Sequence, residues 1–376
     1  MSTQRLFASF VALLATVLVG ISVSPAWGAG SEAAPSWRAE WESVLAGAKK
    51  EGKVAVITGA TTPEMREALT RPFQEKFGIT VDFLTGRGAE VNARLVTELR
   101  AGQYQRDVYL ASTVYGLNSL IPMGALARVE PALILPEIKE AKNWRGGAIE
   151  FADEGRQILV MALNQRPILF VNPNLAKPES FKSYKDLLDP RWKGKIVIDD
   201  PRKPGPGQAS FAFFYLHPDL GPGFIRALAE QNPAILKDYT QEADAVGQGK
   251  YPILVGGNEP NVDARIKRGV PIVIVDPQKL REGSDANPGP GALQWFNKTP
   301  HPNAAKLYIN WLLSREGQTL YARASGYIST RADVPTDHTY SWRVPRPGSI
   351  KPYTAEAREK IVKVVVPFLR EVFGPS

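Results

Sequence analysis

Residues suited to anion binding recur at one kind of position in this sequence, the loop between an apolar run and the helical pattern that follows. The first three such loops contain Thr61 and Thr62, then Arg87 and Gly88, and then Ser112 and Thr113. Loops that open helices present free backbone N–H groups and the positive end of the helix dipole. Hydroxyls add directed hydrogen bonds, and arginine can hold a carboxylate or phosphate with two. The pattern predicts a site for an oxygen-rich anion.

Two loops in the second half of the chain repeat this chemistry. Residues 200–207 contain Arg202 and Gly207, and residues 256–261 contain Asn258 and Glu259. We expect the arginines of both halves to make the strongest contacts, and the glutamate to accept hydrogen bonds from a ligand hydroxyl or ammonium. Each residue also has a purely structural alternative, because threonine can cap a helix, glycine can form a turn and arginine can lie in solvent.

Catalytic and metal-binding patterns are missing from the sequence. It has no cysteine and only three histidines, with no His-Glu-x-x-His motif, no Gly-x-Ser-x-Gly elbow and no P-loop ending. The lack of cysteine excludes disulfides, thiolate metal sites, cysteine nucleophiles and a lipid attached through cysteine. We therefore expect a binding protein rather than an enzyme, with no cofactor and no metal site.

The elements that position these loops are repeated strand-loop-helix units. Three units occupy residues 53–77, 79–100 and 107–123, and further apolar runs at 195–198 and 253–255 begin similar ones. Such units form parallel sheets, and ligands bind beyond the carboxyl ends of the strands. Because a single core stops growing at about 250–300 residues, the 376-residue chain is expected to form two lobes. The predicted fold is α/β, each lobe a mostly parallel sheet flanked by helices, with a ligand cleft between the lobes.

The lobe boundaries follow from where the pattern restarts. Lobe 1 is expected to contain residues 31–145 and 285–340, and lobe 2 residues 146–284 and 341–376, with the apolar runs at 158–163 and 168–171 opening lobe 2. Apolar residues at helical spacing predict one amphipathic helix over 303–320. A closing helix over 354–373 is expected to break at Pro367.

The N-terminus has the order of a secretory signal. Arg5 precedes an uncharged stretch at 6–23 and a small-residue segment at 24–30, which predicts a cleaved signal peptide over 1–28. An uncleaved transmembrane anchor is the alternative, since the stretch is long enough to span a bilayer. No cluster of basic residues follows it. Export without a lipidated cysteine points to a Gram-negative periplasm.

The net charge of +8 comes from 46 basic and 38 acidic residues. Basic and acidic side chains alternate in short stretches such as 49–51 and 358–360, which is typical of a solvated surface. We expect no nucleic-acid partner, although the positive balance favours anionic ligands.

Several segments carry a family resemblance, most specifically residues 187–196 and 303–318, supported by 48–53, 73–78 and 97–102. They resemble the periplasmic solute-binding proteins of ABC importers, in the branch that includes ferric-iron, thiamine and organophosphate binders, over residues 37–335. The resemblance implies a type II periplasmic binding protein fold, with crossing strands between two lobes that close on a small-molecule ligand. It also implies an inner-membrane ABC permease as a transient partner, and we expect a monomer.

Two alternatives stay open within this resemblance. Family members that hold ferric ion commonly use adjacent tyrosines in the loop corresponding to 256–261, where this sequence has Glu259 and Pro260. The difference favours an organic or phosphorylated anion over ferric iron or an iron chelate, because ferric iron prefers phenolate and carboxylate oxygens. The second alternative is a ligand-sensing module whose closure is read by a signalling receptor.

Overall fold

The computed structural model describes residues 37–58, 62–86 and 88–375. The expected signal peptide at 1–28 lies outside the described residues, as do Thr61 and Arg87. Over the described ranges, the helices are too short or too polar to cross a membrane.

Strands and helices alternate along most of the chain. In chain order, the strands are β1 Lys53–Thr58, β2 Thr80–Thr85, β3 Val108–Ala111, β4 Leu126–Ala127, β5 Glu150–Phe151, β6 Ile158–Val160, β7 Ala162–Gln165, β8 Leu169–Val171, β9 Ile196–Asp199, β10 Ala234–Leu236, β11 Ile253–Val255, β12 Val273–Ile274, β13 Ala286–Asn287, β14 Ala292–Phe296 and β15 Ile328–Ser329. The α-helices are α1 Trp37–Glu51, α2 Pro63–Phe77, α3 Gly88–Arg100, α4 Thr113–Tyr115, α5 Pro136–Lys139, α6 Pro206–Leu216, α7 Gly221–Glu230, α8 Tyr239–Gly247, α9 Glu259–Ile266, α10 Pro302–Leu313, α11 Arg315–Ser325, α12 Ala355–Lys360 and α13 Val366–Phe373. Two π-helical turns, Gly116–Leu120 and Ile361–Val365, follow α4 and α12.

Local chemistry sets the ends of α2 as expected from the sequence. The Thr62 hydroxyl accepts a hydrogen bond from the Met65 N–H at 3.2 Å, and Pro63 occupies the first helical position, where its missing N–H costs nothing. The helix ends at Gly78, whose φ of 69° lies in the left-handed region that glycine enters readily.

The predicted single helix over 303–320 is two helices. Ser314 ends α10 and caps α11, where its hydroxyl accepts from the Gly317 N–H at 3.2 Å. A side chain at Gly317 would place a Cβ 2.1 Å from the Trp311 carbonyl oxygen, so the sharp bend depends on glycine. The apolar pattern continues through the bend because both helices pack on the core of lobe 1, and periodicity alone therefore missed the break.

Two sheets form the two lobes. The first has the order β2-β1-β3-β14-β6-β5, with β4 also paired to β14, and the second has the order β10-β9-β11-β8-β12. In each sheet three successive strands are parallel, and strands that return from elsewhere in the chain, such as β14 and β8, add antiparallel pairs. The predicted two-lobed α/β fold is confirmed. The expectation of mostly parallel sheets is wrong, because among the described residues four of the six pairings in the first sheet and two of the four in the second are antiparallel, where strands from elsewhere in the chain join.

A third sheet, the crossing sheet, has the order β13-β7-β15 and joins the lobes. The chain leaves the first sheet after Val160 and enters the second at Leu169. Strands β5 and β6, which the expected boundary at 145/146 assigns to lobe 2, pair within the first sheet. The apolar run at 158–163 is continuous, so its sequence does not mark the point where the strand changes sheet. The other boundaries stay a prediction.

Candidate functional site

A cleft of about 240 Å³ lies where lobe 1, lobe 2 and the crossing sheet meet. It is lined by Ser112, Thr113, Val114, Pro204, Gly205, Gln208, Ala209, Ala212, Asp285, Ala286, Asn287, Pro352, Tyr353, Arg358 and Ile361. The polar part of this lining comes from the carboxyl end of β3, the start of α6, the segment around β13 and the C-terminal segment. The cleft lies between the lobes and has polar groups that converge on it, and both features are typical of small-molecule sites.

Lobe 1 contributes two of the residues predicted from sequence. Ser112 follows β3 and caps α4, where its hydroxyl accepts from the Val114 N–H at 3.4 Å. Thr113 is 1% exposed, and its hydroxyl has no hydrogen-bond partner within the described ranges. Such an unpaired group is costly in a folded protein, and a bound ligand could supply the partner. Their role in binding stays a prediction.

Gly207, predicted to bind ligand, packs α6 against β9. Its N–H donates to a carboxylate oxygen of Asp199 at 2.6 Å, and a Cβ there would lie 2.4 Å from the Asp199 carbonyl oxygen. The cleft lining contains its neighbours Gly205 and Gln208 instead. Gly207 therefore sets the position of the α6 start rather than contributing to the lining of the cleft.

Beneath the α6 start lies a buried pair of carboxyl groups, Asp199 on β9 and Glu242 on α8. Burial raises the pKa of Glu242 to about 8, and the neighbouring charge of Asp199 adds to the rise. Burial also raises the pKa of Asp199, although the Gly207 N–H opposes this. The pair therefore holds a proton at neutral pH, because two adjacent buried carboxylates repel each other.

This pair makes stability depend on pH. Because the pKa of Glu242 rises from 4.5 to about 8 on folding, its favourable contribution is complete below pH 4.5 and is lost as the pH rises towards 8. The variant Glu242→Gln cannot ionise, so at pH 8.5 we expect it to exceed the wild type in free energy of unfolding by about 5 kcal/mol.

Urea titrations at pH 5 and pH 8.5 measure this difference, with the exposed Glu230 replaced by Gln as the matched control. If Glu242→Gln is more stable than the wild type by the same amount at both pH values, the gain does not come from ionisation of Glu242. That result would contradict the raised pKa of Glu242.

Arg202, which the sequence analysis predicts to bind ligand, makes its contacts within the protein. Its guanidinium is buried and holds Asp200 through two hydrogen bonds of 2.7 and 3.0 Å. Its remaining terminal nitrogen donates to the carbonyl oxygens of Phe373 and Pro375, both at 2.9 Å. Arg202 thus fixes the C-terminus on lobe 2 and is absent from the cleft lining. The partner carboxylate lies only two residues away and engages the arginine within the protein, so a direct role of Arg202 towards a ligand stays a prediction without support from its contacts.

The other predicted residues occupy helix starts outside the cleft lining. Thr62 and Asn258 are the caps of α2 and α9, and Gly88 is the first residue of α3. Glu259 accepts a hydrogen bond from Arg343, which also donates to the Gly326 carbonyl oxygen at 3.4 Å. Glu259 is therefore engaged by a segment that contacts lobe 1, and the role expected for it towards a ligand stays a prediction.

Sequence reasoning missed the contribution of the C-terminal segment. Tyr353 and Arg358 line the cleft, and the Tyr353 hydroxyl donates to Glu150 of lobe 1. The sequence did contain a signal, because Arg358, Ile361, Val365 and Leu369 share one face of a helix by spacing. A lone charged residue on an otherwise apolar helical face is more informative than one within a mixed-charge stretch.

Metal binding finds no support in the described part of the chain, where no group of three or more His, Cys, Asp or Glu side chains could hold an ion. The carboxylate that lines the cleft, Asp285, is bound by Arg166 through hydrogen bonds of 2.9 and 2.7 Å. Its charge is thereby balanced within the protein.

Residues 68–344, about three quarters of the chain, match the family model of the bacterial extracellular solute-binding proteins. The chain belongs to this family. Family members bind small solutes and work with the permease of an ABC importer.

Three similar proteins extend the comparison. A candidate 2-aminoethylphosphonate-binding periplasmic protein of Salmonella paratyphi A is 24% identical over 71% of this chain and 75% of its own length. Ferric iron-binding protein A of Mannheimia haemolytica, solved in an open conformation, gives a TM-score of 0.65 at 16% identity over 86% of this chain and 98% of its own. The periplasmic binding protein AfuA of Actinobacillus pleuropneumoniae, solved with fructose-6-phosphate, gives a TM-score of 0.54 at 18% identity over 85% of this chain and 99% of its own. These two structures share the two-lobed fold.

Proposed function

We propose that this protein is the periplasmic solute-binding component of an ABC importer and captures a small organic or phosphorylated anion in the cleft between its lobes. The observation that carries the proposal is the cleft itself, which combines an unpaired hydroxyl at Thr113 with the only cationic side chain of the described lining, Arg358. The negative charge of the nearby Asp285 is balanced by Arg166. The cleft therefore favours a negatively charged ligand.

An organic body for this anion is supported by the rest of the lining. Val114, Ala209, Ala212 and Ile361 contribute apolar side chains next to the polar groups. Relatives that bind aminoethylphosphonate or fructose-6-phosphate support a phosphorylated or phosphonate group as the charged part. A cleft of about 240 Å³ suits a compact metabolite and excludes a long chain.

Ferric iron is less well supported, although solved structures of similar fold bind it. The residue at the position of the expected tyrosines, Glu259, is paired with Arg343. A carboxylate held in this way would have to give up its arginine before it could bind a hard cation. The protein is expected to bind no bare ferric ion and to have no enzymatic activity.

Capture would proceed by hinge closure about the crossing sheet. Its three strands are short and, together with the C-terminal segment, join lobes that have separate cores. Short connections of this kind allow rigid domains to move as a hinge. The closed monomer would then dock transiently on the inner-membrane permease. The N-terminal segment at 1–28 would be removed on export, leaving a periplasmic protein without a lipid anchor.

A thermal-shift panel of purified protein tests the proposal. The panel contains phosphonates, phosphate esters, carboxylates and ferric citrate, with neutral sugars as controls. A ligand at one hundred times its Kd adds about 2.7 kcal/mol to stability, which corresponds to a rise in Tm of about 5–10 °C for lobes of this size. We expect such a rise with at least one organic anion. A rise with neutral sugars alone, or with ferric citrate alone, would contradict the proposal.

A further inference from the structure

The C-terminal segment, residues 345–375, lies beyond the part of the chain that matches the family model, yet it forms one wall of the cleft. Both lobes hold it in place. On lobe 1, the Lys351 ammonium lies 2.8 Å from a Glu150 carboxylate oxygen, and the Ala355 N–H donates to the Ala152 carbonyl oxygen at 2.8 Å. On lobe 2, apolar residues of its last helical turns join the core, and Arg202 binds its final carbonyl groups. The segment is therefore a fixed part of the cleft.

Arg358 is the charged residue that this segment brings to the cleft. Its Nε is buried, and across the described residues its guanidinium has no hydrogen bond or ion pair. Burial lowers the pKa of Arg358 below its usual value. The next residue, Glu359, is paired with Lys363, and the cleft carboxylate Asp285 is bound by Arg166. The described residues thus provide no counterion for this partly buried cation, which a bound anion would stabilise.

Thr113 provides a second unpaired group in the same lining, from the opposite lobe. Its hydroxyl is buried and has no partner among residues that the structure describes. A hydroxyl can donate one hydrogen bond to an oxyanion, and arginine can donate two in a planar fork. Both residues line one cavity, where a single acceptor group of a ligand would satisfy both donors.

We infer that Arg358 and Thr113 bind the oxyanion group of the ligand, so that the segment beyond the family match sets the charge specificity of the cleft. The ligand class is a small organic molecule with a carboxylate or phosphoryl group, its apolar part lying against Ala212 and Ile361. This inference rests on the proposed function because it uses the same cleft. It adds which residues bind the charged group of the ligand.

The test uses simple oxyanions as probes, so that it does not depend on the natural ligand. Phosphate and acetate are titrated into the full-length protein at constant ionic strength, and the rise in Tm is recorded for the wild type, Arg358→Gln and Thr113→Val. The matched control is Arg370→Ala, which removes an exposed arginine from the same C-terminal helical region. Phosphate and acetate separate phosphoryl from carboxylate recognition.

We expect Arg358→Gln to weaken binding of the preferred probe at least tenfold, and Thr113→Val to weaken it about threefold to tenfold. Arg370→Ala should bind as the wild type does. Crystals soaked in selenate should show the anomalous selenium signal within about 4 Å of the Arg358 guanidinium carbon, given ordinary hydrogen-bond lengths.

Two results would overturn the inference. One is equal probe affinity in Arg358→Gln and the wild type, with both proteins folded by circular dichroism. The other is absence of binding of both probes to the wild type together with no selenium in the cleft. An organic anion from the thermal-shift panel that binds Arg358→Gln as tightly as the wild type would also reject the inference, while leaving the proposed function intact.

Discussion

Replacing Arg202 by alanine is expected to lower the free energy of unfolding by about 3–5 kcal/mol. The ligand affinity should stay unchanged, because Ile361, Val365 and Leu369 still pack the C-terminal segment on the core of lobe 2. The substitution removes the guanidinium that pairs with Asp200, which is 2% exposed, and leaves only the backbone N–H of residue 202 as a donor to that carboxylate. It also releases the carbonyl groups of residues 373–375. Burial alone would raise the pKa of Asp200, but the hydrogen bonds from Arg202 hold the pKa below its usual value. Urea unfolding and titration of a ligand from the panel measure the two quantities separately.

Two further variants test whether the stability lost in Arg202→Ala comes from the unpaired charge of Asp200. Arg268→Ala removes an exposed arginine from lobe 2 and should change stability by less than about 0.5 kcal/mol. Adding Asp200→Asn to Arg202→Ala removes the unpaired charge, so the double variant should regain part of the stability. A large loss of ligand affinity in Arg202→Ala at unchanged stability would instead restore Arg202 to the binding site.

The strand-loop-helix units were predictable because the signals that define them are local. The apolar run at 253–255 is a strand with the expected bounds, and the Thr62 cap with Pro63 begins α2 as expected. Caps and buried strands depend on neighbouring residues alone. Repetition of the unit in both halves of the chain then predicted two lobes, as observed.

The path of the chain between the lobes was not predictable in the same way. Strands β6 and β7 are separated by one residue, yet they belong to different sheets. Pairing partners such as β14 and β13 lie more than a hundred residues away. A periodicity describes which face of a strand is buried, and it carries no information about the distant strand that buries it.

The difference between local signals and long-range contacts also explains why the sequence predicted Arg202 as a ligand-binding residue and missed Arg358. Arg202 occupies a glycine-rich loop before a helix, which made it a reasonable candidate for anion binding, but Asp200 satisfies it. Arg358 occupies a mixed-charge stretch, where its position on an apolar helical face is the one local signal. The fold brings it to the cleft, where the described residues give it no counterion. Whether an arginine is free depends on the tertiary contacts around it, so loop position alone could not tell the two apart.

The side chain of Asp107 is expected to be among the most important for the stability of lobe 1. Its buried carboxylate accepts from the Ala55 N–H at 2.6 Å and the His301 N–H at 2.9 Å, lies 2.8 Å from the His301 Nδ1, and is bound by the Thr299 hydroxyl. It therefore ties β1 and the segment after β14 to the start of β3, the strand whose other end leads to Thr113.

Asp107→Ala leaves all four donors without their acceptor, and we expect a loss of about 3–5 kcal/mol in the free energy of unfolding. Asp107→Asn retains one acceptor oxygen and should lose less. Asp82→Ala, at an exposed position of β2 where the carboxylate lies 3.9 Å from Arg106, should lose less than about 1 kcal/mol. Urea denaturation of the three variants measures the order of these losses in free energy of unfolding.

Equal stability of Asp107→Ala and Asp82→Ala would mean that the hydrogen bonds of Asp107 contribute nothing to the stability of lobe 1. Since Thr113 is positioned by β3, ligand affinity should fall together with stability in Asp107→Ala, whereas in Arg202→Ala it should not.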